Sequence, residues 1–434
     1  MFSKILIANR GEIAVRIIRT CKEMGIATVA VCSTADEGAL HTALADECCC
    51  IGPAPAAESY RNEERILSAA LATGAKAIHP GYGFLSENAH FAALCRKNGI
   101  VFIGPAAETM ERLSDKAVIK GLMDDAGLPA IPGTGVLGSV REALEAAEAI
   151  GYPVMLKARS GGGGRGIRLA SSPEELEALF PQAEAESAAA FGDRAVYLEK
   201  YVHPARHVEL QILADEHGNA VCLGERDCSV QRRHQKLIEE SPSPAVSNEQ
   251  RAALIERAAA AIKKLGYVGV GTLEFLLDRD GHFWFMEMNV RLQVEHTVTE
   301  LLTRIDLVKW QIRVAAGIPL SFTQRDVSFR GCAIECRINA LAPGRVEQLH
   351  VPGGPFVRFD TSLIPGAEVT PYYDALLGKL IVYAATREEA LRKLKAALCE
   401  LVIDGVPNSL EEQLRLLCDR RFADGTYDLT FLEA

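Results

Sequence analysis

The chain lacks three things that would each point to a function class. It lacks a basic surplus: 47 lysines and arginines stand against 57 aspartates and glutamates, a net charge of -10. General affinity for nucleic acid wants a basic surface, so no nucleic-acid partner is expected, and any anion site has to be built locally. It lacks a long hydrophobic run. None approaches the ~18 residues of a membrane span, and the opening "KILIA" is far too short for the apolar core of a secretory leader. No membrane association is expected. It also lacks any Cys-x-x-Cys pair among its 12 cysteines, and the adjacent Cys48, Cys49 and Cys50 cannot all be bridged in one unstrained strand. Reduced thiols in a cytoplasmic protein are the expectation. No internal repeat or low-complexity segment stands out.

What is present is an ordinary globular composition, 48% hydrophobic and 24% charged over 434 residues, enough for roughly two to four domains. Up to about residue 110, strand and helix patterns alternate. "KILIA", "ATVAVCS", "AKAIHPGYG" and "IVFIG" read as strands. "GEIAVRIIRTCKEMG", ending at Gly25, "YRNEERILSAALATG" and "SENAHFAALCRKNG", capped by Ser86, read as helices. The alternation predicts an α/β unit with a doubly wound parallel sheet. Ligands in such sheets bind beyond the carboxyl ends of the strands, where "NRGE", "HPGYGF" and "IGP" lie. One helical stretch, "AAETMERLSDKAVIKGLMDDAG", leads to a second unit. There "YPVMLKA" and "GIRLA" are strands, and a helix opens with Ser172 as cap, Pro173 in its first turn and Glu175 closing a capping box. From about Arg330 a third, α+β part mixes the strands "GCAIECRIN" and "GKLIVYAA" with the helix "REEALRKLKAALCEL".

Between the two strands of the second unit runs "KARSGGGGRG". A strand rather than a helix follows it, which excludes a dinucleotide fingerprint, and no Gly-Lys-Ser/Thr follows, which excludes a Walker loop. The run is expected to be a mobile flap. Its bare N–H groups, at Gly162, Gly163 and Gly164, would close over phosphates, with Lys157 and Arg165 adding charge. A surface hairpin with no such role is the alternative.

"GTLEFLLDRDGHFWFMEMN" reads as a hairpin. If Asp278 pairs with Phe283, Glu274 faces Glu287. Like charges directly opposite repel, and a divalent cation with a taste for oxygen would relieve them. A solvated surface hairpin is the alternative, but Leu273, Phe275, Trp284 and Phe285 are too apolar to suit it. The chain then alternates. Glu287, Asn289, Arg291, Gln293 and Glu295 would share one face of an extended segment, against Met288, Val290, Leu292 and Val294. Asn289 extends a metal site, Arg291 with Gln293 can hold a small planar anion, and Glu295 can act as a base. Upstream, "ERDCSVQRRHQK" concentrates Arg226, Arg232, Arg233, His234 and Lys236 in an acidic chain. That basic loop is either solvated or handles anions.

Taken together, "IANRGEIAVRIIR", "IHPGYGFLSEN", "GGGGRG", "ERDCSVQRRHQK", "GTLEFL", "EMNVRLQVEH", "ECRIN" and "PYYDALLGKLI" resemble a biotin carboxylase of the ATP-grasp superfamily. The likeness spans nearly the whole chain in the expected order. It is greatest to the biotin carboxylase subunits of bacterial acetyl-CoA carboxylases, and "RLQVEH" with "RRHQK" is its most specific part. The resemblance implies a preATP-grasp domain at 1–112, an ATP-grasp domain at 113–325 with a lid at about 130–202, and a C-terminal domain at 326–434. It implies ATP-phosphate contacts from Lys116 and Lys157, and an adenine hinge at Glu199, Lys200 and Val202. Further nucleotide contacts would come from His207, Gln231, His234 and Leu276. Glu274, Glu287 and Asn289 would ligate magnesium or manganese. Arg291, Gln293, Val294 and Glu295 would form a bicarbonate pocket, with Lys236 at the phosphate end, and Arg337 would lie at a biotin site near Tyr82 and Gly83.

The implied chemistry is ATP-dependent carboxylation of biotin. Glu295 would deprotonate bicarbonate, which attacks the γ-phosphate. Carboxyphosphate would decay to carbon dioxide and phosphate, and the phosphate would take the N1′ proton of biotin while Arg337 stabilises the enolate. The implied setting is the first half-reaction of acetyl-CoA carboxylase, which supplies malonyl-CoA for fatty acid synthesis; a subunit of another acyl-CoA carboxylase is the alternative. The implied partners are a biotin carboxyl carrier protein and carboxyltransferase subunits. A homodimer is also implied, with Arg19, Glu23 and Arg358 near its interface. The biotin is expected on a separate chain, because no methionine here adjoins a lysine as in the Ala-Met-Lys-Met turn of a carrier. After "ECRINA" the chain departs from the family pattern and runs "LAPGRVEQLHVPGG", several residues shorter. An ATP-grasp ligase joining a carboxylate to an amine would share the flap and the hairpin but would not need "RLQVEH". A nucleotide-binding regulatory subunit would not need Glu295, Lys236 and Arg337.

Overall fold

The computed structural model describes residues 1–159 and 166–433, apart from the side chains of Lys116, Ala117 and Phe191. The flap residues Gly162, Gly163, Gly164 and Arg165 lie outside the described residues.

The N-terminal part is a parallel sheet of β1 (Lys4–Ile7), β2 (Ala27–Cys32), β3 (Glu47–Cys50), β4 (Ala77–His79) and β5 (Val101–Phe102), in the order β3-β2-β1-β4-β5. Ile5, Leu6 and Ile7 are fully buried, as expected where helices cover both faces of a parallel sheet. Strand order reverses between β1 and β4, and a crevice opens outside the carboxyl ends at such a point. Here the two turns are tied together. Asn9 Nδ2 donates to the carbonyls of Pro80 and Tyr82, both at 2.7 Å.

Local chemistry departs from expectation at three helix ends. Asn88, not Ser86, caps the helix Ala89–Lys97, its side chain accepting from Phe91 N–H. Ser86 is instead held in the preceding turn through its N–H to Gly83 O. The single helix expected before the second unit is two, Ala107–Ser114 and Lys116–Asp125. Asp115 between them is extended and accepts from Val118 N–H, so it caps the second helix rather than continuing the first. Ser172 does cap Pro173–Phe191, but Glu175 accepts from Ser171 N–H at 2.7 Å, so the capping box is not closed on the cap residue.

β6 (Val154–Ala158), β7 (Ile167–Ala170) and β8 (Val196–Lys200) form a separate sheet under the helices Val140–Ile150 and Pro173–Phe191. This unit has its own core, with Leu156, Phe180 and Leu198 all but fully buried.

The central element is an eight-stranded antiparallel sheet. It contains β9 (Ala205–Ala214), β10 (Ala220–Arg232), β11 (Gln235–Ser241), β12 (Gly269–Asp278), β13 (Phe283–Asn289) and β14 (Cys332–Asn339). Beyond β14 come β15 (Gly344–Arg345), β16 (Gln348–His350), β17 (Val357–Thr361), β18 (Glu368–Val369), β19 (Leu376–Ala384) and β20 (Val402–Asp404). β17 and β19 join the sheet, whose order is β13-β12-β9-β10-β11-β14-β19-β17. The other short strands pair off, β15 with β18 and β16 with β20. One side of β14 and β19 rests on the helix Arg387–Glu400 through Ile334, Ile338, Leu380, Val382 and Leu394. The other carries polar groups. Glu239 pairs with Glu335, Arg337 with Lys379, and Lys379 with Asp360. At the far end Glu287, Glu274, Glu209 and Arg226 are successive cross-strand partners. Charged residues thus run along one face of a sheet whose opposite face is core.

Candidate active site

A cleft of about 1490 Å³ lies between this polar face, the β6–β8 unit and the carboxyl end of the N-terminal sheet. That exceeds the few hundred to ~1,000 Å³ of a typical single-ligand pocket.

Its floor is the β12–β13 hairpin. Glu274 and Glu287 face each other as expected, but by a different route. At the hairpin end Leu277, not Asp278, pairs with Phe283; a bulge at Met286 then absorbs one residue and restores the Glu274–Glu287 pairing. Glu274 is 7% exposed. Burial alone would raise its pKa, but Lys236 and His207 outweigh that and hold it well below the usual carboxylate range. Asn289 follows two residues after Glu287, and its Nδ2 donates to Glu274 Oε1 at 2.7 Å. Two opposed carboxylates, one of them held ionised, and a side-chain amide make an oxygen-donor set that fits a hard dication.

The segment after β13 is not extended. The strand stops at Asn289, and Glu295 is the residue before the helix His296–Thr303. The alternation still works: Met288, Val290 and Leu292 are buried, while Glu287, Asn289, Arg291, Gln293 and Glu295 all line the cleft, joined by Val294. Arg291 donates to Gln293 Oε1 at 2.8 Å and to Glu87 Oε2 at 2.9 Å.

Glu295 sits where the charges converge. It is 1% exposed and accepts from Lys236 Nζ at 2.6 Å and Arg337 at 2.9 Å. Burial pushes its pKa up; Lys236, Arg337 and Arg226 together drive it well below the usual range. Lys236 also donates to Glu209 at 2.6 Å and reaches Glu274 at 3.3 Å. Against desolvation, these carboxylates hold the lysine well above its ordinary pKa. Lys236 is the second residue of β11, one residue past a two-residue turn in which Arg233 and His234 take φ of 49° and 64°. Two non-glycine residues in the left-handed region are costly. Here the strained turn projects the expected basic loop over the cleft.

On β8, Glu199 is 3% exposed and accepts from both Lys157 and Lys120. Those two lysines overcome burial and lower its pKa. Lys200 lines the cleft, but its Nζ is turned to Gly151 O at 2.7 Å. Val202, His207, Gln231, His234 and Leu276 line the same cavity, and Gln231 Nε2 lies 2.6 Å from His207 Nδ1. Across the cleft Tyr82 donates to Glu12, and Gly83 turns at φ 69°. Lys116 opens its helix, but its side chain is outside the described set.

Sequence reasoning passed over Glu209, Glu239, Glu335, Lys120 and Lys379. One signal could have found several of them: a single charged residue inside an otherwise apolar strand, as in "VELQILA" and "LLGKLIVYA", is almost never fully buried unless paired.

Three family models cover the chain: "Biotin carboxylase, N-terminal domain" at residues 1–110, "Carbamoyl-phosphate synthase L chain, ATP binding domain" at 115–323, and "Biotin carboxylase C-terminal domain" at 335–434. A biotin carboxylase of Nostoc sp. is 51% identical over 441 residues, covering 100% of this chain and 99% of its own. Biotin carboxylase 1 of Bacillus subtilis is 50% identical, covering 100% and 98%. Among solved structures, a biotin carboxylase–beta-gamma-ATP complex from Campylobacter jejuni superposes with a TM-score of 0.97 at 45% identity, covering 100% and 99%. The biotin carboxylase domain dimer of Hydrogenobacter thermophilus 2-oxoglutarate carboxylase, bound to MgADP, ADP and bicarbonate, gives 0.96 at 47% identity, covering 100% and 97%.

Proposed function

The chain belongs to the biotin carboxylase family of ATP-dependent ligases, and from that membership we propose how its cleft divides the work. The observation that carries the proposal is Glu295, buried and ionised between Lys236 and Arg337. A carboxylate so well neutralised is a poor base. It becomes a better one when its cations are drawn elsewhere. Lys236 would turn to a phosphate, and Arg337 to the oxygen of a biotin enolate. Substrate binding therefore frees Glu295 to take the proton of bicarbonate, which Arg291 and Gln293 hold as a planar anion. At rest the carboxylate stores the cations; during reaction they meet the developing negative charge without reorganising solvent.

Lys157 is held at rest by Glu199, with Lys120 as the second cation on that carboxylate. When Lys157 moves to a phosphate, Lys120 remains to neutralise Glu199. Glu274, Glu287 and Asn289 would hold a magnesium or manganese ion, which neutralises nucleotide phosphate charge when bound. The flap and Lys116 complete the proposed nucleotide set. The domain division at 1–112, 113–325 and 326–434 is proposed on the same grounds.

Biotin is proposed to arrive on a separate biotin carboxyl carrier protein and to leave carboxylated for carboxyltransferase subunits. With acetyl-CoA as acceptor, the product would be malonyl-CoA for fatty acid synthesis. A homodimer is proposed by analogy with the dimeric relative. In this chain Arg19 and Glu23 are exposed, whereas Arg358 is bound by Glu300 and Asp360. A cytoplasmic location is proposed; no helix among the described residues is long and apolar enough to cross a membrane, and all 12 cysteines are free.

ATP turnover is the test. It should require bicarbonate and rise with free biotin. Equal turnover in bicarbonate-depleted buffer would overturn this reading and favour a ligase with another nucleophile.

A further inference from the structure

Lys379 has no place in the scheme above, yet it is fully buried beneath the cleft. It projects from β19 on the face that carries Arg337, its cross-strand partner in β14, and Asp360, its partner in β17. Asp360 is already held by Nε and Nη2 of Arg358, at 2.8 and 2.6 Å. Lys379 Nζ turns elsewhere. It donates to the carbonyl of Val294 at 2.9 Å and lies 3.2 Å from Glu12 Oε1. That same Glu12 oxygen accepts from Tyr82 Oη, and Lys379 Nζ sits 5.8 Å from the Tyr82 ring.

A continuous polar bridge therefore runs Val294–Lys379–Glu12–Tyr82. Its members come from four separate stretches of chain. Val294 precedes the base Glu295 and lines the proposed bicarbonate pocket; Tyr82 forms the wall of the proposed biotin site. A buried lysine needs partners, and here both partners belong to substrate-facing segments. The carbonyl it holds belongs to the peptide that leads into Glu295, so Lys379 fixes the plane from which that side chain emerges. Through Glu12 it also fixes where the Tyr82 hydroxyl points.

We propose that Lys379 and Glu12 are positioning residues that join the bicarbonate and biotin subsites, so that each is held in register with the other. Neither touches a reacting atom. The proposal rests on the functional reading given above and adds to it a specific coupling between two subsites. The nucleotide end of the cleft lies outside the bridge and should not feel its loss.

The test is steady-state kinetics of the full chain with free biotin as acceptor. Lys379→Met should raise the KM for bicarbonate and for biotin, each by roughly tenfold or more, the scale on which small misplacements act. The KM for ATP should stay within about twofold. Lys379→Arg should recover part of both losses, since it can still donate to Val294 O. Glu12→Leu should raise the KM for biotin more than that for bicarbonate, because it leaves the Tyr82 hydroxyl without its acceptor while Lys379 keeps the Val294 carbonyl. A KM for ATP that rises in step with the others would mean general damage and would overturn the proposal, as would unchanged KM values. Should Lys379→Met not fold, Glu12→Leu decides alone, and an unchanged biotin KM refutes the bridge. Failure of the functional reading is seen separately, as bicarbonate-independent turnover by the unmutated chain.

Discussion

Replacing Glu335 by glutamine should flatten the pH dependence of stability on the alkaline side of about pH 5. Glu335 is fully buried in β14 and directly opposite Glu239 of β11. Thr297 donates to its Oε2, while Oε1 has no hydrogen-bond partner among the described residues. Arg337 binds Glu239 and Glu295 but not Glu335. Burial therefore dominates and pushes the Glu335 pKa from 4.5 up to about 8, with Glu239 adding to the rise and Lys379 opposing it. Glu239 is itself raised to about 7, by burial against the pull of Arg337. The facing pair titrates as a unit and retains a proton at neutral pH. A carboxyl whose folded pKa is raised stabilises the fold fully below its unfolded value, and that contribution is lost as pH climbs through the folded value. The window is thus from 4.5 to about 8. At 1.36 kcal/mol per unit the full shift is worth about 5 kcal/mol. Relaxation and water entry around a newly formed charge reduce this to about 2–3 kcal/mol. Glutamine keeps the shape and an oxygen for Thr297 but cannot ionise. Urea unfolding of both proteins across this range should show the unmutated chain losing roughly that much more stability with rising pH. An infrared band of a protonated carboxyl at neutral pH should weaken in the variant. Stability curves that run parallel across the window, with no change in that band, would refute a shared proton at this pair.

Glu287→Gln should cut magnesium-dependent turnover by orders of magnitude without lowering the melting temperature of the ligand-free protein, because it removes one of two opposed carboxylates; normal turnover across a magnesium titration would contradict the metal assignment. Lys236→Met removes the largest opposing charge acting on Glu295, so the acid limb of the residual activity should move to higher pH; an unmoved limb would show that the lysine does not set the state of that carboxylate. Light scattering at micromolar concentration should give the mass of two chains, and a monomer would dispose of the dimer. The purified chain should carry no biotin and should carboxylate a separately added carrier protein; a streptavidin-positive band at its own mass would refute delivery by a partner.

The sequence alone determined those parts of the site that lie within one short stretch. The facing of Glu274 and Glu287 follows from the two-residue period of a hairpin, and the cleft-lining set from Glu287 to Glu295 follows from polar–apolar alternation. Each survived an error of detail, because the bulge at Met286 shifted the register back and because buried Met288, Val290 and Leu292 kept the alternation in force after the strand ended. Tertiary structure decided what those side chains do. Glu295 is ionised because Lys236 comes from β11 and Arg337 from β14. Lys236 is held in place by Glu209 from β9, and Lys157 by a glutamate two strands away in sequence, on β8. Glu239 and Glu335 share a face only because β11 and β14, separated by nearly a hundred residues, are neighbours in the sheet. Burial and long-range pairing set a carboxylate's proton affinity, and neither is a property of its sequence neighbours.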